Sequence, residues 1–167
     1  AIYVLEGLTM YLSEETVTPD VTAGELLDLL AVSGADQLVR AMDLVEAGAV
    51  PEPQSDQGIT IAPKITVADA RLDFRRTARE LRNQIMGCSP DPGAWCELDG
   101  QRFKVFRVAV AGPQELAPGE LLATKRDVFV GTGDGASLHL LEVQAPGKRR
   151  MPAIDWARSG VTGRVLA

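Results

Sequence analysis

Histidine occurs once in this 167-residue chain, as His139, and cysteine twice, as Cys88 and Cys96. A protein metal site needs three or four His, Cys or carboxylate ligands at set spacings, and neither cysteine lies in a zinc or redox motif. The sequence therefore reads as metal-free. Two unpatterned thiols fit a reducing, cytoplasmic setting. No apolar run approaches the ~20 residues that a membrane span requires, and no basic-then-apolar segment opens the chain. Positive charge is scarce in one region only. Residues 1–62 hold one cation, Arg40, against eleven carboxylates, a net of -10; residues 63–167 hold sixteen cations against twelve, a net of +4. The overall net charge of -6 hides this change of sign at Pro63-Lys64. An acidic part joined to a basic part points to a polyanion-binding module at residues 63–167.

The organising stretch is Leu138–Met151, an apolar run that ends in Pro146-Gly147 and then delivers Lys148, Arg149 and Arg150 in succession. A turn that faces water is one reading of those cations; contact with a phosphate backbone is the other. Upstream, Ala1–Leu5 reads as a buried strand, which makes a missing preceding segment the expectation, and Thr9–Val17 as a second extended piece. Thr22 and Glu25 form a capping box before a helix that Gly48 stops. Leu26, Leu30, Gly34, Leu38 and Met42 line one face of it, widened by Leu27, Val39 and Val45. Gly34 in its interior is expected to mark close backbone packing or a short break. Residues 51–58 read as a loop.

Thr66 and Asp69 repeat the cap pattern over a predicted one- to two-turn helix. Thr77 and Glu80 repeat it over another, whose apolar face is Ala78, Leu81 and Ile85. Arg75, Arg76, Arg79 and Arg82 surround its start, where cations oppose the helix dipole. Either a partner anion or ion pairs with Asp69, Asp73 or Glu80 would account for them. Beyond Ser89–Gly93 the period becomes strand-like. Ala94–Leu98 and Gln101–Val110 flank Asp99-Gly100, a type I′ turn signal. The apolar face switches at Val105-Phe106, which predicts a bulge or a barrel bend. With Leu121–Thr124, Val128–Gly131 and Ser137–Val143 this makes five short strands, as in an oligonucleotide-binding (OB) barrel. Pro152 opens a last helix through Trp156, and Gly160 ends it.

Recognisable catalytic chemistry is missing. Gly131-Thr-Gly-Asp-Gly135 lacks the Lys-Ser/Thr of a phosphate loop and is predicted to be a tight hairpin turn. His139 sits in a strand without a nucleophile motif and reads as structural. Trp95 reads as packing at the barrel end, with base stacking as the alternative.

A series of motifs resembles methionyl-tRNA formyltransferase. They run Asp20-Val-Thr-Ala-Gly-Glu-Leu-Leu27; Ala62-Pro-Lys-Ile65 with Asp69-Ala-Arg71; Ala78-Arg-Glu-Leu81; Ser89-Pro-Asp-Pro-Gly-Ala94; Leu98-Asp-Gly-Gln-Arg102; Gly131–Gly135; and Leu141–Lys148. The resemblance is to the last half of that enzyme family, across nearly the whole chain. It implies an α/β Rossmann-like remnant with a linker over residues 1–62 and a C-terminal OB-like barrel with flanking helices over 63–167. It implies formyl transfer from 10-formyltetrahydrofolate to the amino group of initiator methionyl-tRNA. The family's catalytic Asn, His and Asp and its folate-site segment all precede the point matching Ala1, so no catalytic or cofactor-binding residue is assigned. A polypeptide beginning at Ala1 is expected to be inactive. The family's tRNA-binding role maps onto Lys64, Lys148, Arg149 and Arg150, with Arg75, Arg76, Arg79 and Arg82 added from charge and position. A monomer is expected.

The resemblance has two departures. The Asp-Thr-Gly-Pro that usually follows Glu6-Gly7-Leu8 is replaced by Thr9-Met-Tyr11, and Asp91 stands where the family favours Trp. Two other readings compete: a non-catalytic RNA-binding module, and a related formyltransferase or formyl-folate hydrolase with a non-RNA substrate.

Overall fold

The computed structural model describes residues 16–50 and 57–167. The expected strand at Ala1–Leu5, most of the Thr9–Val17 segment and most of the 51–58 loop lie outside them. The chain divides into two compact units, Ala1–Lys64 and Ile65–Ala167.

The described part of the first unit is dominated by one helix, α1 (Ala23–Glu46). Thr22 caps it as its residue types require: its hydroxyl accepts from Glu25 N at 3.3 Å, and Glu25 accepts from Thr22 N at 2.9 Å. Gly48, at φ +76°, takes the left-handed conformation that ends the helix. Gly34 neither breaks α1 nor marks close packing, because a Cβ added there would meet nothing within 4 Å. Only Leu26 of the helix is buried.

In the second unit the Thr66–Asp69 capping box forms, with Thr66 N donating to Asp69 at 2.8 Å, but no helix follows. Leu72 N donates to Trp95 O and Trp95 N to Ala70 O, so strand-like pairing captures the backbone that a helix would need. Helix α2 (Ala78–Gly87) does form behind the Thr77–Glu80 box. The strands are β1 (Ala94–Leu98), β2 (Gln101–Ala111), β3 (Leu121–Ala123), β4 (Val128–Gly131), β5 (Ser137–Gln144) and β6 (Met151–Pro152). Asp99 and Gly100, at φ 52° and 73°, make the β1–β2 turn that the dipeptide predicts. The short β6 was not anticipated; Pro152 belongs to it and precedes α3 (Ala153–Ala157) as its N-cap.

The sheet is antiparallel, in the order β1-β2-β5-β4-β3, with β6 on β5. It does not close by pairing β1 with β3. Residues near the C-terminus lie along both edges instead: Glu97 and Ala167 exchange backbone hydrogen bonds, and Leu166 N donates to Gly119 O. The register of β2 on β5 shifts on both sides of Arg107. This is the bulge expected from the face switch, and it leaves Val105, Phe106 and Val108 all buried.

One apolar core lies between this sheet, α2 and α3. Leu81 and Ile85 of α2, Phe103 and Val105 of β2, and Leu138, Leu140 and Val143 of β5 are all buried in it. Phe103 and Trp156 pack with tilted rings, 4.5 Å between centroids. Burial pushes the Cys96 thiol to about 12 and raises Cys88 as well, so neither supplies a thiolate near neutrality. The Ser89–Gly93 loop leaves Asp91 exposed. It is tied down by Ser89 Oγ donating to Phe106 O at 2.6 Å and Lys104 Nζ donating to Pro92 O at 3.0 Å.

Candidate nucleic-acid interface

The basic turn after β5 is built from its sequence. Ala145-Pro146-Gly147-Lys148 closes with Lys148 N donating to Ala145 O at 3.0 Å, and Gly147 takes φ 67°. Proline second and a left-handed glycine third define a type II turn. Gln144 Nε2 fastens the far side by donating to Lys148 O at 2.9 Å. The three cations then diverge. Arg150 pairs with Glu142 and lies over the Phe106 ring, 4.5 Å from its centroid. Lys148 and Arg149 are exposed, and neither has an ion-pair partner among the described residues. Arg150 is thus a fixed base for the turn, and Lys148 and Arg149 are its available charges.

The arginines around α2 divide in the same way. Arg75 binds Asp73 through two contacts, Nε at 2.8 Å and Nη2 at 2.7 Å, and this partnership holds the Asp73 carboxyl down at about 2. Arg76 reaches Glu80 at 3.4 Å and Gln84 at 3.1 Å. Arg82 donates to Asn83 at 2.8 Å. Arg79 is exposed without an ion pair among the described residues. Asp73 and Glu80 thus supply the ion pairs weighed for Arg75 and Arg76. Lys64, also exposed, ends the first unit.

The Gly131–Gly135 hairpin turn has a definite task. Gly133 N donates to Arg76 O at 2.9 Å, and a Cβ on Gly133 would run into the Arg75 carbonyl oxygen. Asp134 accepts from Ala78 N, the first amide of α2, at 3.3 Å, and from the Thr132 hydroxyl at 2.6 Å. A helix N-terminus attracts anions; here the chain's own carboxylate occupies it. The Thr132 hydroxyl, followed by backbone amides, lowers the pKa of Asp134.

Trp95 carries a cluster that charge counting did not reveal. Its Nε1 donates to Val67 O at 2.6 Å, and the guanidinium carbons of Arg102 and Arg71 lie 4.4 Å and 5.3 Å from its ring centroid. Arg71 also pairs with Glu97 at 3.2 Å. The ring is therefore a fixed support for two arginines. The sequence signal was the outward position that Trp95 shares with Glu97, with Arg102 opposite Glu97 across the β1–β2 turn. A groove of about 550 Å³ adjoins it, lined by Arg71, Asp73, Arg75, Pro118 and Val165 among others.

His139 pairs with Asp127 at 3.2 Å and packs against Phe129, with no nucleophile beside it in those contacts. Among the described residues no cluster of His, Cys, Asp or Glu could hold a metal ion, and no helix is long and apolar enough to cross a membrane. The arrangement can bind anions, and it shows no acid–base or nucleophilic centre among the described residues.

Residues 64–160 match the family model described as "Formyl transferase, C-terminal domain". The methionyl-tRNA formyltransferase of Cutibacterium acnes is 47% identical over 150 residues, covering 85% of this chain and 47% of the relative. That of Mycobacteroides abscessus is 48% identical over 145 residues, covering 86% and 47%. The chain spans about half the length of the curated relatives it matches. Among solved structures, a HypX variant from Aquifex aeolicus superposes with a TM-score of 0.66 at 20% identity, covering 87% of this chain and 28% of that one. HypX in complex with tetrahydrofolic acid gives 0.58 at 21% identity, covering 72% and 22%. These likenesses establish the fold. The family match, over more than half of the residues, establishes membership: this chain belongs to the formyl transferase family through its C-terminal domain.

Proposed function

We propose that the polypeptide carrying this sequence transfers a formyl group from 10-formyltetrahydrofolate to the amino group of initiator methionyl-tRNA, in the cytoplasm and as a monomer. Residues 1–62 complete a Rossmann-like catalytic domain and a linker; residues 63–167 act as an OB-like tRNA-binding module. The observation that carries this reading is 47–48% identity, over about 150 residues, to relatives named for that reaction. The change of charge sign and the fixed basic turn support it. In such a transfer the neutral amine attacks the formyl carbon, a base accepts its proton and hydrogen-bond donors hold the oxyanion, and the bond from that carbon to N10 then breaks, releasing tetrahydrofolate with a proton on N10. Among the described residues this chain contributes to the step before that one: it holds the RNA so that the amine is delivered.

Lys148 and Arg149 are the principal phosphate contacts, with Arg150 beneath them. Lys64 and Arg79 are further contacts, and Arg75, Arg76 and Arg82 exchange their protein partners for phosphate only at the cost of those bonds. Binding of initiator tRNA across a salt series tests this, for wild type and for Lys148→Ala/Arg149→Ala/Arg150→Ala. Weaker binding with a shallower salt slope in the variant is expected. Formyl transfer to a non-RNA amine, without salt-sensitive tRNA binding, would replace this reading with the related formyltransferase one.

A further inference from the structure

Lys125 and Arg126 form a second exposed basic pair, at the turn between β3 and β4. The register places that turn. Val128, at the start of β4, lies opposite Leu140, and Met151, at the start of β6, lies opposite Val143. Strand β2 takes the other edge of β5, so β4 and β6 follow one another along the same edge. Leu140 and Val143 are three residues apart, roughly 10 Å along a strand. The chain leaves β4 backwards into Lys125-Arg126 and leaves β6 backwards into Lys148-Arg149-Arg150. Both basic turns therefore project from the same end of the sheet.

Each is held rigidly. Thr124 N donates to Asp127 O at 2.9 Å, and the Thr124 hydroxyl accepts from Arg126 N at 3.2 Å and Asp127 N at 2.9 Å. Of the carboxylates nearby, Glu142 is paired with Arg150, and Asp127, beside Arg126 in the chain, lies 3.2 Å from the His139 ring. Lys125, Arg126, Lys148 and Arg149 form no ion pair among the described residues. Four exposed cations without ion pairs among the described residues, on two hydrogen-bonded turns, match a polyanion whose charges recur at short intervals, and they meet it at little entropic cost.

We infer that the β3–β4 turn, through Lys125 and Arg126, is a second phosphate contact that closes with Lys148 and Arg149 as two arms on one RNA backbone. This inference rests on the RNA reading above. The test uses the full polypeptide and initiator tRNA between 50 and 200 mM salt. It compares wild type, Lys125→Ala/Arg126→Ala, Lys148→Ala/Arg149→Ala, the fourfold variant, and Arg158→Ala as a control whose charge is already paired with Asp155. All four residues of the turns are exposed and their turns close through backbone and Thr124 contacts, so circular dichroism and melting should stay at wild type. Each pair should lower affinity and flatten the log–log salt slope by about two, and the fourfold variant by about four. Wild-type affinity and slope in Lys125→Ala/Arg126→Ala, with a reduced slope in Lys148→Ala/Arg149→Ala, would overturn the second arm alone. No RNA binding by wild type would overturn the RNA reading and the arms with it. Polyglutamate competing as well as RNA at equal charge concentration would overturn RNA as the occupant.

Discussion

Helices α1 and α2 begin with the same device and end in opposite surroundings. Thr22 with Glu25 and Thr77 with Glu80 make matching capping boxes. Over its 24 residues α1 buries only Leu26, leaving Leu27 and Leu38 each 65% exposed and Val32 74% exposed. Over its 10 residues α2 buries Ala78, Leu81, Ile85 and Met86. Helix initiation is a local matter of backbone donors and one side chain, whereas covering an apolar stripe requires another element. The first unit, among its described residues, shows a helix made by its own sequence. The second shows a helix held by a core.

The contrast can be broken at several points. Phe103→Ala, in the core, should cost about 3–5 kcal/mol in chemical denaturation, while Leu38→Ala on α1 should stay within about 0.5 kcal/mol. Equal losses would mean that the stripe on α1 is covered after all. The two interior glycines sharpen it further. Gly133→Ala must displace the Arg75 carbonyl and should destabilise by about 1–3 kcal/mol. Gly34→Ala meets open space and should stabilise α1 by up to about 1 kcal/mol, read as higher melting temperature or helicity. Removing the caps comes next. Thr77→Ala should lower global stability by about 1 kcal/mol, and Thr22→Ala should show chiefly as lost helicity.

The smallest effect is in acid. Asp73, Asp134 and Glu80 have folded pKa values below their ordinary ones, through Arg75, Thr132 and Thr77 respectively. Groups shifted in this direction support the fold above their unfolded pKa values and lose that support as pH falls through the folded ones. The melting temperature of the second unit should therefore fall as pH drops from about 4 toward 2, the span set by the Asp73 shift from 3.8 to about 2. Asp134→Asn should make that fall shallower. An unchanged acid profile in Asp134→Asn would show that Asp134 does not couple α2 to the 131–135 turn.

The strands were legible where residue type constrains the backbone directly. Asp99-Gly100 needs two positive φ angles and has them, and the face switch at Val105-Phe106 became the bulge. The Thr66–Asp69 box shows the limit of that reasoning, because the same hydrogen bonds formed and Trp95 still took the following backbone. β6 is two residues long and exists only because β5 offers an edge. The candidate site was half legible. A run of cations is visible in sequence; which of them is already held by a carboxylate or an aromatic ring is not. Arg150 and Arg75 have such partners, and Lys148 and Arg149 have none among the described residues. Arg71 and Arg102 gain their place beside Trp95 from pairing between distant segments.

What the sequence determined by itself is everything that acts over a few residues: the three capping boxes, the type I′ and type II turns, the alternation of β1, the break in charge at Pro63-Lys64, and the motif series that marks the family. Tertiary structure alone decided which capped segment became a packed helix, that the 131–135 loop clasps α2 through Asp134 instead of binding an external phosphate, and that two basic turns share one end of the sheet. The reason is range. Caps and turns are satisfied by neighbours in the chain, whereas burial, ion pairing and strand register depend on groups that only folding brings together.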